Sequence, residues 1–233
     1  MTLTFVVTGT SRGIGVEFIK QLSAKGHTVF ACARNPHQSD KLQVLINDIN
    51  VHPVAMDITN QESVKAAVEQ IQTLAPEGID VLINNAAIPG VSGANVTNTT
   101  AEDYMNVFET NVVGTSTVTM SLLPWLRKRN TRHIVNIVSI MASMQNTTRG
   151  IGAAYRVSKA AENMLTRTLA GELGEEGFVV LALHPGWVKT DMGTDQALYT
   201  PEESVSGMLS VIGDMSLETN GKFISFQGKE LPW

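Results

Sequence analysis

Tyr155 and Lys159 stand four residues apart in the run Tyr155-Arg156-Val157-Ser158-Lys159, so on a helix both side chains share one face. A free phenol titrates at about 10, and a fixed ammonium beside it favours the phenolate and brings proton exchange closer to neutral pH. Ser139 ends an apolar run, and its hydroxyl can donate to a carbonyl oxygen lying between it and Tyr155. Asn111 is a polar residue of low helical preference in the middle of a helical stretch. Each residue alone has an ordinary reading too, since a tyrosine and a lysine at this spacing often form a solvated helix pair.

A second chemistry-bearing stretch lies near the N-terminus, in Thr8-Gly9-Thr10-Ser11-Arg12-Gly13-Ile14-Gly15. Glycines at 9, 13 and 15 allow a tight turn and let backbone approach a pyrophosphate with no Cβ in the way. A helix starting inside this turn presents free N–H groups to the anion. The spacing, G-x-x-x-G-x-G, departs from G-x-G-x-x-G, so its position after the first strand carries the dinucleotide reading. Arg34 follows Gly15 by 19 residues, at the end of the second strand. An acidic residue there would bind the ribose 2′-hydroxyl of NAD, whereas a guanidinium suits the 2′-phosphate of NADP. Arg12 points the same way, so NADP(H) is the expected cofactor.

These residues need a scaffold. Apolar runs at Leu3–Thr8, Thr28–Ala33, Val51–Met56, Ile79–Asn84, His133–Ser139, Phe178–His184 and Lys222–Phe226 alternate with longer segments of helical period. That pattern predicts one α/β domain over residues 1–233, a doubly wound Rossmann fold with a seven-stranded parallel sheet and helices on both faces. In the first helix Ile14, Phe18, Ile19 and Leu22 form one stripe, with Gly26 as the stop. In the third, Asn60 is the expected cap and Val64, Ala67, Val68 and Ile71 the buried face.

The chain has 233 residues, 43% hydrophobic and 17% charged, which excludes disordered and collagen-like classes. With 17 Lys+Arg against 22 Asp+Glu and a net charge of −5, it is a poor candidate for gripping phosphate backbones, so no nucleic-acid partner is expected. One cysteine, Cys32, makes no intramolecular disulfide, and none of the five histidines forms an H-x-x-x-H pair, so no metal is expected. With no basic leader and no apolar run near 18 residues, the expectation is a cytoplasmic protein without a membrane partner.

Taken together, the Gly-rich turn, Asn84-Asn85-Ala86-Ala87, Asn111, Ser139, Tyr155/Lys159 and Pro185-Gly186 resemble the short-chain dehydrogenase/reductases over nearly the whole chain. The segments Asn136–Met141, His184–Met192 and Leu231-Pro232-Trp233 look most like the sniffer and C-factor carbonyl-reductase branch. The resemblance implies a catalytic tetrad of Asn111, Ser139, Tyr155 and Lys159. Tyr155 would protonate the alkoxide as hydride arrives from the nicotinamide, Lys159 would also hold the nicotinamide ribose, and Asn111 would order a proton-relaying water. It further implies that Asn84 and Ala86 line the cofactor, that Asp57 and Ile58 touch the adenine, and that Pro185, Gly186, Val188 and Thr190 border the nicotinamide. Two departures stand out. Ala87 replaces the family's usual glycine, which a backbone away from positive φ would tolerate. The 16-residue step from Ser139 to Tyr155 is longer than is common, implying a loop at 142–152 that walls the substrate pocket.

Met141, Met144, Trp187 and Met192 are the expected apolar lining of that pocket, with core packing as the alternative for Met141 and Met192. The expected reaction is NADPH-dependent reduction of a small or planar apolar carbonyl, such as an aldehyde, diketone or quinone. Alternatives are a cofactor-binding sensor or signalling protein of the same fold, and an NAD(P)-dependent alcohol dehydrogenase. Val112, Val118, Leu165 and Leu169 lie beyond single helical stripes, suggesting a homodimer or homotetramer through these helices. Core packing explains the same residues.

Overall fold

A computed structural model describes residues 2–47 and 49–233. Among them are seven strands: β1 (Thr4–Thr8), β2 (Thr28–Ala33), β3 (Val51–Ala55), β4 (Val81–Asn84), β5 (His133–Ile137), β6 (Val179–His184) and β7 (Phe223–Ser225). All pair in parallel in the order β3-β2-β1-β4-β5-β6-β7. Each expected strand is present, and the sheet is the doubly wound one the sequence predicts.

Strand residues alternate between two cores, as the pleat requires. On one face Phe5, Val7, Val29, Ala31, Val81, Ile83, Val135 and Leu181 meet Phe18, Ile19 and Leu22 of α1 (Gly13–Ala24) and Val205, Met208 and Ile212 of α7 (Pro201–Gly213). On the other, Val6, Phe30, Leu82, Ile134 and Val180 meet Val64, Ala67 and Ile71 of α3 (Gln61–Leu74) and Val118 and Leu122 of α5 (Thr115–Leu126). Leu169 and Leu173 of α6 (Ala153–Leu173) complete that layer. α2 (Asp40–Gln43) is a single turn. Asn60 caps α3 as expected, accepting from Ser63 N–H at 3.0 Å, and Gly26 follows α1 at φ +79.

The helical stretch that carries Asn111 is interrupted. α4 (Ala101–Phe108) passes through a π-helical segment, Glu109–Gly114, into α5. Gly114 is required there, because a Cβ would sit 2.9 Å from the Ile58 side chain and 3.1 Å from its carbonyl. Such widened turns concentrate at functional sites, and this one carries Asn111.

Two apolar residues expected on a partner-facing surface, Val118 and Leu169, are buried in the second core instead, and Leu165 packs against it. Their excess over one stripe reflects helices covered by the sheet on one side and by neighbouring helices on another. The exposed apolar side chains of these helices are Met105, Phe108, Val113, Met120, Val157 and Met164.

Between sheet and helices lies a buried polar column. Asn84 Nδ2 donates to Thr119 Oγ1 and Asn136 Oδ1, and Asn136 Nδ2 donates to Thr166 Oγ1, each at 2.9 Å. Replacing Asn136 with Ala strips partners from two buried groups at once, so Asn136→Ala should cost about 1–3 kcal/mol. Chemical denaturation checks this; an unchanged midpoint would contradict it.

Candidate active site

Strand order reverses between β1 and β4, and the crevice that opens there is where ligands bind in such sheets. A cavity of about 490 Å³ occupies it. Its floor is the Gly-rich turn, with Gly9, Ser11, Arg12, Gly13, Ile14 and Gly15 all lining it. The turn leaves no room for side chains: a Cβ on Gly15 would lie 2.1 Å from the Gly9 carbonyl, and one on Gly9 2.7 Å from Ala86 Cα. Gly9 and Gly13 also hold φ of +70 and +56. Asn85 stitches the turn to β4, its Nδ2 donating to the Thr8 and Gly9 carbonyls at 2.8 and 3.1 Å. Thr8 Oγ1 in return accepts from the Asn85 and Ala86 N–H groups.

Arg34 lines the same cavity beside Asp57, Ile58 and Thr59. Asp57 Oδ1 accepts from the Thr59 hydroxyl at 2.7 Å and its N–H at 3.0 Å. Those bonds, with a smaller contribution from Arg34, hold the carboxyl below its usual range. Arg12 is 3.3 Å from Asp191, with both side chains largely exposed. Such a pair adds little to stability, which leaves the guanidinium available to a competing anion.

Tyr155 and Lys159 line the cavity from α6, and Pro185, Thr190 and Met192 line it as well. The ammonium sits 5.9 Å from the Tyr155 ring centroid. Burial raises the phenol above its usual value; Lys159 and the hydrogen bond with Ser139 pull it down, and Glu162 pushes it further up. The net direction is opposite to the lowering that the Tyr–Lys spacing alone suggests, because burial outweighs the ammonium. Ser139 Oγ accepts from Met141 N–H at 3.2 Å, which leaves its proton free to be donated. The next residue is fixed by His184, whose Nδ1 accepts from Ile140 N–H at 3.3 Å; burial pushes this imidazole down to about 4, so it stays a neutral acceptor.

Asn111 is fully buried beside the cavity rather than lining it. Its Oδ1 accepts from Ile88 N–H at 2.9 Å, and its Nδ2 donates to the Ile88 carbonyl and to Ser158 Oγ, each at 3.0 Å. The amide therefore braces the loop after β4, and the π-turn aims it there.

The structure places several expected residues, Ser139 among them, outside the lining of this cavity. Asn84 faces the polar column under the sheet; its neighbour Asn85 is the one on the cavity. Gly186 and Val188 do not line it: a Cβ on Gly186 would meet the Tyr199 and Phe226 rings at 2.9 Å, and Val188 is buried against Tyr199 in a single bridge. Among the four apolar residues assigned to the substrate, Met192 lines the cavity but Met141, Met144 and Trp187 do not. Trp187 donates Nε1–H to the Gly193 carbonyl at 2.6 Å. No residue of the 142–152 loop lines it either; that loop is tied to Trp233, whose carbonyl accepts from Gln145 N–H and the Ser143 hydroxyl. Ala87 lines the cavity away from positive φ, as its methyl requires. The sequence reading misses Ile88 and Pro89, which supply apolar wall.

The family model for short chain dehydrogenases matches residues 3–198. The chain belongs to the short-chain dehydrogenase family. It is 43% identical over 155 residues to the C-signal protein of Myxococcus xanthus, covering 66% of this chain and 93% of that one. It is 35% identical to an uncharacterized oxidoreductase of Schizosaccharomyces pombe, covering 98% and 97%. Among solved structures, carbonyl reductase Sniffer of D. melanogaster superposes with a TM-score of 0.95 at 30% identity over the whole of both chains. An NADPH-bound carbonyl reductase from chicken fatty liver gives 0.92 at 34% identity, covering 100% and 99%. This short-chain dehydrogenase is accordingly an oxidoreductase whose structural relatives are carbonyl reductases.

The crowded turn gives a direct test. Gly15→Val should abolish the rise in melting temperature that added NADPH produces, because its side chain meets the Gly9 carbonyl; an undiminished rise would contradict the placement of the phosphate site.

Proposed function

We propose that the chain reduces small or planar apolar carbonyls, an aldehyde, diketone or quinone, with NADPH. The observation that carries this reading is the meeting, in the lining of one cavity, of a phosphate-binding turn, Arg12 and Arg34, and Tyr155 and Lys159. The glycine-lined floor fits a pyrophosphate. The two guanidiniums supply planar donors for a 2′-phosphate, and no acidic residue stands at position 34 to take a 2′-hydroxyl. Two neighbours in the comparison, the chicken enzyme and a Pseudomonas aeruginosa carbonyl reductase, were crystallised with NADPH and NADP.

When bound, the cofactor supplies the hydride to the carbonyl carbon. Tyr155 supplies the proton to the carbonyl oxygen as negative charge develops there, so that C=O becomes an alcohol. The raised phenol stays protonated at neutral pH, which is the form reduction needs. Ser139 donates to the same oxygen, and its accepted bond from Met141 fixes its rotation. Lys159 holds the nicotinamide ribose, while Asn111 keeps Ile88 and the wall beside it in place. Ile88, Pro89 and the half-exposed Met192 form an apolar, open mouth, which suits a flat uncharged substrate.

The C-signal relative favours a second reading, in which the cofactor fold serves signalling. Among the described residues no helix is long and apolar enough to cross a membrane. The buried, unreactive Cys32 fits a reducing cytoplasm. Exposed Met105, Phe108 and Val113, with Met120, Val157 and Met164, offer apolar surface for a homodimer or homotetramer. Light scattering of the purified chain should give at least twice the monomer mass; a monomer would remove that proposal.

The catalytic reading is tested with diketones, quinones and aldehydes, following NADPH oxidation beside NADH. Turnover should favour NADPH, Arg34→Asp should lose most of that preference, and Tyr155→Phe should lose at least a hundredfold in kcat while still binding NADPH, consistent with the about 10²–10⁴-fold of a positioned acid. A Tyr155→Phe variant as active as the parent would overturn the role given to the phenol, and persistence of a signalling phenotype without turnover would favour the second reading.

A further inference from the structure

Glu162 does not line the cavity. It lies one turn after Lys159 on α6 with its side chain 1% exposed, and its Oε2 is 2.6 Å from Lys159 Nζ, itself 2% exposed. A carboxylate is expensive to bury and is kept only when paired. The ammonium has three protons. The Ile137 carbonyl takes one at 2.8 Å and Glu162 a second, so one N–H is left without a partner among the described residues, on a side chain that lines the cavity.

We propose that Glu162 is a positioning residue of the reductase site: its carboxylate, with the Ile137 carbonyl, holds the Lys159 ammonium charged and in one rotation, with the remaining N–H available to the nicotinamide ribose. This inference rests on the reductase reading of the cavity.

The surroundings leave this task to Glu162. β5 presents the Ile137 carbonyl and the neutral Asn136 amide, and β6 ends in His184, a neutral acceptor bound to Ile140. The Asn111 amide of the π-segment is committed to Ile88 and Ser158. On α4, Glu102 is exposed and Asp103 is taken up in capping Thr100, and Glu109, which opens the π-segment, is exposed. Arg156 of α6 bonds the Ile151 and Met141 carbonyls, and Glu175 and Glu176 lie exposed beyond the far end of the helix. The 3-10 turn Ile140–Ala142 carries no titratable side chain. Tyr155 and Glu162 are thus the groups that act on the ammonium.

Burial works to strip the proton from Lys159, and Glu162 with Tyr155 more than offsets it, holding the ammonium above the ordinary lysine range. Burial pushes the Glu162 carboxyl up to about 7 against the pull of Lys159. Without the carboxylate, burial acts on Lys159 with little opposition, so its proton is lost at lower pH. Functions that need the ammonium then fail earlier on the alkaline side.

The full chain, Glu162→Gln and Glu162→Asp are compared from mildly acidic to alkaline pH. Two quantities are read: NADPH affinity, from quenching of tryptophan fluorescence, and kcat/KM for diketone reduction. In Glu162→Gln both should fall off at a pH lower by about one unit or more, equivalent to about 1.4 kcal/mol per unit, and Glu162→Asp should recover part of the shift. Coincident profiles for Glu162→Gln and the parent, with only a lower melting temperature, would overturn the proposal and leave Glu162 a structural counter-ion. If the Gln variant folds poorly, Glu162→Leu, which buries no polar group, carries the same measurement with the same two outcomes. A parent that binds NADPH but reduces nothing defeats the reductase reading, while the affinity profile still decides the role of Glu162. A parent that binds no NADPH defeats both.

Discussion

A buried ammonium at the carboxyl edge of a parallel sheet sets the terms for the rest of this site. Lys159 has left water almost completely, and a lone charge in that position would lose its proton rather than stay. It remains because the Ile137 carbonyl, freed where β5 ends, and Glu162, one turn further along α6, meet it within hydrogen-bond distance. The end of a strand and the register of a helix therefore fix the position of one nitrogen. Tyr155, one turn before Lys159, is carried to the cavity by the same helix.

The same economy governs the other half of the cavity. Three glycines bring β1 and α1 so close that backbone alone forms the floor, and Asn85 closes the gap to β4 with two hydrogen bonds to carbonyls of the turn. The reversal of strand order between β1 and β4 leaves the crevice open, because crossover helices run away from it on opposite faces. Guanidiniums and the phenol–ammonium pair line the same crevice. α6 brings the phenol and the ammonium to the crevice, and the apolar wall comes from the loop that Asn111 braces.

Much of this was legible in the residues. The strands follow from β-branched runs, and the glycine turn, Arg34 and the Tyr155/Lys159 pair follow from spacing, because backbone approach and helical phase are local properties of a chain. What stayed hidden depends on contacts between distant segments. Asn84 and Asn85 are chemically identical neighbours, and only strand parity sends one beneath the sheet and the other to the cavity. Asn111 reads as an awkward helix residue; the π-turn that gives it a purpose depends on Gly114 fitting against Ile58. Met141, Met144 and Trp187 carry the apolar character of a pocket wall, but the loop after β5 turns toward Trp233. Glu162 reads as an ordinary charge on a helix until its burial is seen. The one signal it offered was its place on the Lys159 face, three residues on.

Under the proposed function, hydride passes from the nicotinamide to a carbonyl carbon at this cavity. The most direct measurement is the isotopic composition of the alcohol formed from a diketone with NADPH deuterated at the transferring position of its nicotinamide. The alcohol should be heavier by one deuterium, carried on the former carbonyl carbon, with the hydroxyl proton drawn from solvent. An alcohol free of deuterium when each stereospecifically labelled cofactor is used in turn, or no alcohol at all while NADPH remains bound, would contradict it.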